Sequence, residues 1–175
     1  MIDERILKIL SKEDLDKIQN LNILIVGVGG VGGYALEALA RTGVKNITII
    51  DKDKIDESNL NRQIIALNNN INNSKVEEAQ KRVLSIRKNI NINTNEVFLN
   101  KDNLKAILDE YNFDYIIDAC DTVSTKIELI KYAKTNNIDI ISCLGTGNRL
   151  NPENLTITTL DKTFKKRIKR GTYKR

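Results

Sequence analysis

The 175-residue sequence contains no histidine and no tryptophan, a single proline, and only two cysteines, Cys120 and Cys143. Without histidine in this chain, Ser-His-Asp and Cys-His catalysis are excluded, so proton transfer would depend on carboxylates, lysines, tyrosines or the substrate. Two cysteines cannot form a Cys₄ or Cys₂His₂ zinc site, and they argue against a disulfide framework. No apolar run approaches the roughly 20 residues that span a bilayer, and the N-terminus lacks a signal-peptide core. We therefore expect a soluble, cytoplasmic protein without membrane attachment.

Positive charge is concentrated at the C-terminus. Residues 161–175 contain eight Lys or Arg residues and one acid, although the whole chain has a net charge of only +5. We predict one domain over residues 1–163 and a basic tail over residues 164–175. Such a tail suits contact with nucleic acid, and a solvated helix or irregular chain end is an equally weighted alternative.

A glycine-rich turn between a strand and a helix is the central motif. Four apolar residues precede the glycines Gly27, Gly29, Gly30 and Gly32, and a run rich in Ala and Leu follows them. Asp51 ends the next apolar run, 19 residues after Gly32. This order predicts a nucleotide site, in which glycines permit close backbone approach and the acid binds ribose. The alternative is that the glycines serve only the turn and its packing.

Apolar patterns predict alternating strands and helices. Strands are expected near residues 23–26, 47–50, 94–99, 115–121 and 138–143, with a half-exposed last strand over 154–160. Helices are expected within 3–19, after the glycine turn, over 75–88 behind a capping box at Ser74, around 104–111, and after Asp121 with an inward face of Val123, Ile127, Ile130 and Ala133. The alternation predicts an α/β, Rossmann-like doubly wound fold, with a mostly parallel sheet and helices on both faces.

Charged residues are expected at the carboxyl ends of the strands, where ligands bind in such sheets. Arg62 suits bidentate phosphate binding, Lys75 supplies a point charge, and Asp121 is a suitable Mg²⁺ ligand. A reacting triphosphate needs cations, whereas helix N-terminal N–H groups largely satisfy a dinucleotide pyrophosphate, so this set favours ATP over NAD. No Walker Gly-Lys-[Ser/Thr] run is present. The alternatives are surface solvation for Arg62 and Lys75 and a helix N-cap for Asp121.

Together these residues resemble the adenylating domain shared by ThiF, MoeB, HesA and ubiquitin-activating enzymes. The resemblance rests on G-x-G-G-x-G from Gly27, N-x-N-R-Q from Asn59, Lys75, and D-x-x-D from Asp118. D-T-V-S-T-K over residues 121–126 and G-T-G-N-R-L-N-P over 145–152 are most similar to the tRNA threonylcarbamoyladenosine dehydratase branch. The likeness extends over roughly residues 3–163.

The resemblance implies a set of site residues. Arg62, Lys75 and Asp121 would be catalytic, and Asp121 would also bind Mg²⁺. The implied ATP site comprises Gly27, Gly29, Gly30, Gly32, Asp51, Asp53, Asn59, Arg62, Lys75, Asp121 and Arg5. Relatives are typically homodimers, and Arg5 is the positional candidate for an arginine that reaches into the partner's ATP site.

The reaction implied by the resemblance is attack of a carboxylate on the α-phosphorus of ATP, giving an acyl-adenylate and pyrophosphate. In the dehydratase branch the carboxylate belongs to the threonylcarbamoyl group of a tRNA adenosine. The hydroxyl group or carbamoyl nitrogen then closes a ring and expels AMP. Such chemistry requires no nucleophile from the enzyme, which suits a chain without histidine.

Three other functions remain open. The first is adenylation of the C-terminus of a ubiquitin-like sulfur carrier, with a sulfur-transfer or carrier protein as partner; the missing Cys₄ zinc site argues against a standard activator of this kind. The second is a nucleotide- or partner-binding module without turnover, and the most distant is NAD-dependent oxidoreduction. Because family members usually continue well beyond Pro152, we expect C-terminal truncation and an incomplete acceptor half.

Overall fold

Five parallel strands form the central sheet of the computed structural model, which describes residues 2–145 and 155–162. The strands are β1 (Asn22–Val26), β2 (Asn46–Ile50), β3 (Asn91–Asn95), β4 (Tyr115–Asp118) and β5 (Asp139–Ser142). They lie in the order β3-β2-β1-β4-β5, and every neighbouring pair is parallel. The predicted Rossmann-like α/β fold is confirmed.

The strand register aligns the carboxyl ends of all five strands. Val26 lies opposite Ile50 on one side and Asp118 on the other, and the same row continues to Asn95 and Ser142. The glycine turn, Asp51 and the segment after Asp118 therefore leave the sheet at one edge. This edge is called the carboxyl edge below.

Helices cover both faces of the sheet. They are α1 (Lys12–Gln19), α2 (Gly32–Thr42), α3 (Lys75–Ile86), α4 (Leu104–Leu108) and α5 (Val123–Asn136). On one face α2 and α3 pack against Ile25, Ile47 and Ile49, and on the other α4 and α5 pack against Leu24 and Val26. Continuous apolar strands are buried on both faces because side chains alternate between them. The doubly wound arrangement follows.

The helices before the sheet lie where the sequence predicts them. Helix α3 also begins at the predicted residue, but without the predicted capping. A short 3₁₀ helix, Ile6–Lys8, and α1 occupy the predicted region, and α3 begins at Lys75. Ser74 is the N-cap of α3, but its side chain makes no capping hydrogen bond, so the predicted capping box is not formed. Within the described residues no helix is long and apolar enough to cross a membrane.

Strand β3 begins and ends earlier than the sequence pattern predicts. The expected strand covered 94–99, whereas the observed strand is Asn91–Asn95 and is rich in asparagine. Asparagine has low strand propensity, so pairing with β2 rather than local preference sets these bounds. Beyond the strand, Val97 and Leu99 pack into the core that α4 and α5 cover.

The buried face of α5 is also different from the predicted one. Val123 and Ile127 are 69% and 48% exposed, so their predicted inward orientation is wrong. Ala133 is buried as predicted and Ile130 is half-buried, but the rest of the buried face consists of Thr125, Lys126 and Leu129. Apolar spacing fits two adjacent stripes of this helix, and tertiary contacts of Thr125 and Lys126 select between them.

The chain divides into two compact units, Met1–Gly145 and Thr146–Arg175. In the second unit, residues 155–159 have no regular secondary structure and Leu160–Lys162 forms a short 3₁₀ helix. The predicted strand over 154–160 is therefore wrong for the residues described, because alternation alone cannot form a strand without a neighbour to complete its hydrogen bonds. The predicted boundary at residue 163, the tail over 164–175 and most of the run over 145–152 lie outside the described residues.

Candidate functional site at the carboxyl edge

The glycine turn begins directly after β1. The Gly27 N–H still donates to the Ile50 carbonyl at 2.8 Å, and the positive φ of 88° at Gly27 then turns the chain out of the extended conformation. A Cβ on Gly32 would overlap the Gly27 carbonyl oxygen, so only glycine fits there. Gly29 and Gly30 are less crowded, with their nearest neighbours 3.7 and 3.6 Å from an added Cβ. The turn delivers the chain to the N-terminus of α2, which no side chain caps. Uncapped helical N–H groups favour an anion there.

Asp51 is tied to this turn by its carboxylate. One oxygen accepts the Val28 N–H at 2.8 Å, and the other accepts the Asp53 N–H at 2.9 Å. Each carboxylate oxygen has a further lone pair, so these bonds leave acceptor capacity for a sugar hydroxyl. The structure thus fixes the orientation of the acid next to the glycine turn.

Lys75 is brought to the same edge by the antiparallel contact between residue 54 and residue 74. Its backbone N–H donates to the Asp53 carbonyl, and its ammonium lies 3.0 Å from the Asp53 carboxylate. Lys75 is only 5% exposed, so the alternative of surface solvation is wrong for this residue. A buried ammonium must have a charged or polar partner, and Asp53 supplies one.

Asn59 organises the loop between β2 and α3. It is 7% exposed, and its side-chain oxygen accepts the Asp56 N–H at 3.1 Å, closing the short 3₁₀ helix Glu57–Asn59. The side-chain hydrogen bonds of Asn59 are therefore made within its own loop. The helix directs Arg62 back over the glycine turn.

Arg62 lies against Gly30. Its Cγ is 3.6 Å from the position that a Cβ on Gly30 would take, and its side chain is exposed. One terminal nitrogen donates to the Ser58 carbonyl at 2.8 Å and to the Asn61 side-chain oxygen at 3.0 Å. A guanidinium has five N–H donors, so most of its donors are available to an anion above the turn.

The segment after β4 forms the opposite wall of the turn. An added Cβ on Gly27 would lie 2.9 Å from the Ala119 carbonyl oxygen, so this segment packs directly against the glycines. Asp121 is exposed and accepts a hydrogen bond from the Thr122 hydroxyl at 3.3 Å. The N-cap of α5 is Thr122, so the alternative of Asp121 as N-cap is wrong.

Cys120 lies in that segment but is poorly suited to nucleophilic attack. Burial, followed by the nearby Asp118 carboxylate, raises the pKa of its thiol to about 12. The thiol donates to Asp118 at 3.1 Å. Since the thiolate is the nucleophilic form, Cys120 is protonated and unreactive near neutral pH.

Arg5 follows a segment that is anchored near the C-terminal end of α2. Asp3, two positions earlier, forms an ion pair with Arg87, whose guanidinium also donates to the Arg41 carbonyl near the end of α2. The Arg87 hydrogen bond holds the pKa of Asp3 below its usual value. Because α2 begins at the glycine turn and is about 16 Å long, Arg5 belongs to the opposite end of the same subunit. The structure does not bring it to its own site.

Sequence reasoning assigned no role to Lys126, which is buried and bonded to Asp118. The D-T-V-S-T-K run that contains it was the available signal. Among the residues described, no group of three or more Cys, Asp or Glu side chains is arranged to hold a metal ion.

Comparison with known proteins identifies the family. A profile described as the ThiF family matches residues 3–151. The chain belongs to the ThiF family. This ThiF-family chain is 36% identical to the tRNA threonylcarbamoyladenosine dehydratases of Bacillus subtilis, over 154 residues, and Haemophilus influenzae, over 157 residues. These matches cover 88% and 90% of this chain and 60% of each relative.

A solved structure supports the same grouping. The Escherichia coli tRNA N6-threonylcarbamoyladenosine dehydratase, TcdA, in complex with ATP matches with a TM-score of 0.88 and 34% identity. The match covers 91% of this chain and 65% of that chain. The ThiF-family chain therefore spans about three fifths of the length of the curated relatives named above.

Proposed function

We propose that this chain binds ATP at the carboxyl edge and activates a carboxylate by adenylation, specifically that of threonylcarbamoyladenosine in tRNA. One observation carries the proposal: Arg62 lies against Gly30, at the turn that also holds Asp51. Lys75 adds a nearly buried positive charge that is joined to Asp51 through Asp53. A bare dinucleotide turn has no need of two such cations, whereas a triphosphate that reacts at phosphorus does.

Each residue has a defined task in this proposal. The N–H groups of the glycine turn and the start of α2 hold phosphate oxygens, and Asp51 accepts the ribose hydroxyls. Arg62 and Lys75 offset the triphosphate charge and stabilise the additional charge that develops as the acceptor carboxylate attacks. Pyrophosphate leaves in the first step, and AMP leaves when an internal group of the acceptor closes the ring.

Asp121 would hold Mg²⁺ in this proposal. Magnesium commonly binds through one or two carboxylates together with substrate phosphates and water, so a single exposed carboxylate beside the phosphate site fits this ion. When bound, Mg²⁺ neutralises phosphate charge. The exposure of Asp121 and its position two residues after Ala119, which packs on Gly27, support this assignment.

The state of Cys120 agrees with chemistry that uses no enzyme nucleophile. Its pKa, raised to about 12, keeps the thiol protonated. In the proposed reaction the attacking group comes from the acceptor, so a reactive cysteine is not required.

The names of the relatives support a tRNA acceptor. We also propose that the chain forms a homodimer, in which Arg5 of each subunit completes the ATP site of its partner.

Pyrophosphate release tests the acceptor. With ATP and Mg²⁺, release is expected with tRNA that contains threonylcarbamoyladenosine, but not with the same tRNA lacking the modification. A carrier protein ending in Gly-Gly should give no release. Release with that carrier alone would replace the proposal by sulfur-carrier activation. ATP binding without release on either acceptor would indicate a binding module, and enhanced NADH fluorescence without ATP binding would overturn the ATP site.

Matched variants test the residues. Arg62→Ala and Asp121→Ala should abolish release while keeping the melting temperature within a few degrees, because both side chains are exposed. Arg41→Ala on α2 and Asp139→Ala at the start of β5 remove exposed charges away from the carboxyl edge. These controls should retain activity. Full activity in both site variants would show that the assigned site is wrong.

A further inference from the structure

Asp118 ends β4 with a fully buried side chain. One carboxylate oxygen accepts the Lys126 ammonium at 2.9 Å, the Cys120 N–H at 3.3 Å and the Cys120 thiol at 3.1 Å. The second oxygen is buried and has no hydrogen-bond partner among the residues described. Lys126 thus forms an ion pair with this carboxylate, and its side chain is 9% exposed.

The position of Lys126 is unusual for a residue that serves stability alone. It is the fourth residue of α5, whose first turn contains no acid. The helix macrodipole disfavours a cation in that turn. Burying an ion pair is costly as well, and a well-packed apolar pair is often equally stable or more so. A cation in the first helical turn and a buried ion pair are both unfavourable, so a role in stability alone does not explain Lys126 at this position.

The pair spans the segment that carries Asp121. Lys126 reaches from α5 back to the last residue of β4, so the intervening residues 119–122 are held at both ends. Within the segment, the Cys120 thiol approaches the Thr122 carbonyl at 3.8 Å, and the Lys126 N–H donates to that carbonyl at 3.1 Å. A short loop anchored in this way has few alternative backbone conformations.

The same segment supports the glycine turn. The Ala119 N–H donates to the Val26 carbonyl at 2.9 Å. Ala119 is the nearest neighbour of an added Cβ on Gly27, and its own Cβ would lie 3.2 Å from one on Gly32. These contacts of its own hold Ala119 on the glycine turn, so a change in the path of residues 120–122 would displace mainly Asp121.

We propose that Lys126 and Asp118 are positioning residues, which fix the segment 119–122 so that the Asp121 carboxylate meets metal-bound ATP on the glycine turn. This inference rests on the proposed function. Neither side chain touches the nucleotide in this assignment. Their effect is transmitted through the backbone of the segment between them.

The test measures ATP affinity with MgCl₂ and with EDTA for the wild type, Lys126→Met, Lys126→Arg and Asp118→Asn. The compared quantity is the factor by which MgCl₂ tightens ATP binding relative to EDTA. In Lys126→Met and Asp118→Asn this factor should be about 10- to 100-fold smaller than in the wild type, as when an outer-shell partner is lost at a metal site. The affinity in EDTA should change much less. Lys126→Arg keeps the charge and should restore most of the gain.

Pyrophosphate release gives the second readout. Lys126→Met should lower kcat and raise the Mg²⁺ concentration for half-maximal rate. The matched control is Arg82→Met, which breaks the Arg82–Glu37 ion pair between α2 and α3. It should lower the melting temperature without changing either Mg²⁺ readout. If both ion-pair variants changed the Mg²⁺ readouts equally, the positioning role would be overturned.

A double variant keeps the test decisive if a single substitution prevents folding. Lys126→Met with Asp118→Asn removes both charges, and it should fold because no unpaired charge stays buried. Wild-type Mg²⁺ dependence and kcat in this folded double variant would refute the proposal. A third outcome separates the two proposals. If the wild type released no pyrophosphate, and Lys126→Met lost the Mg²⁺-dependent ATP affinity of the wild type, the proposed function would fail while the positioning role stood.

Discussion

Lys75 and Asp53 form a 3.0 Å ion pair in which the lysine side chain is 6% exposed and the aspartate side chain 51% exposed. The Asp53 backbone N–H donates to Asp51, and the Asp53 carbonyl accepts the Lys75 N–H. Asp53 thus connects the residue expected to hold ribose with a cation expected to hold phosphate. It places both at fixed positions beside the glycine turn.

Replacing Lys75 by Met should weaken ATP binding with little loss of stability. The apolar side chain fills a similar volume, and Asp53 is left half-exposed, so water can solvate its charge. Losing a charged contact to phosphate should raise the Kd for ATP about 10-fold or more. Isothermal titration and calorimetric melting measure the two effects. Lys81→Met, which breaks an exposed pair with Glu78, is the control. A folded Lys75→Met protein with wild-type ATP affinity would contradict the assignment.

Alanine substitutions in the glycine turn should separate packing from ligand approach. Gly32→Ala should destabilise the protein by about 1–3 kcal/mol or more, because its Cβ would overlap the Gly27 carbonyl oxygen. Gly29→Ala has room, since its nearest neighbour is the Gln63 amide nitrogen at 3.7 Å. It should keep its denaturation midpoint near that of the wild type but bind ATP more weakly. If Gly29→Ala also kept full ATP affinity, this glycine would serve the turn alone.

Deprotonation of the Cys120 thiol should lower the free energy of unfolding at alkaline pH. Its pKa is about 12 in the folded protein and near the ordinary value of 9.0 in the unfolded chain. The folded state therefore holds the thiol proton more tightly. The resulting contribution of Cys120 to the free energy of unfolding is fully present below pH 9 and is lost as the pH rises towards 12. Urea titrations from pH 8 to 11 should give a shallower decline for Cys120→Ser than for the wild type. Equal slopes would contradict the raised pKa. The Ser variant should retain turnover.

Arg5 should act across subunits. If Arg5 completes the partner's site, Arg5→Ala and Arg62→Ala proteins should each be inactive, and mixing them should restore activity. With random exchange, half of the dimers are mixed and each has one complete site, so about a quarter of wild-type activity is expected. Chromatography establishes whether dimers form. Mixed dimers without recovered activity, or full activity in Arg5→Ala alone, would refute the role.

Much of the fold and part of the site could be predicted from local sequence. The apolar run into Gly27, the helix after Gly32 and Asp51 at the next strand end define a strand, a turn and a helix by periodicity and turn chemistry. Lys75 begins its helix as predicted. These features depend on neighbours along the chain, so their pattern is readable without the fold.

Only the tertiary structure decided which distant residues meet. Arg62 lies against Gly30 and Lys75 pairs with Asp53 because strand order and register bring separate loops to one edge. The start of β3 and the buried face of α5 escaped prediction, since pairing with β2 and the Lys126–Asp118 bond outweigh local pattern there. Such contacts depend on where the sheet places each strand end. The sequence by itself determined the strand, turn and helix around the glycines and the acid that follows them, while the spatial site belongs to the sheet.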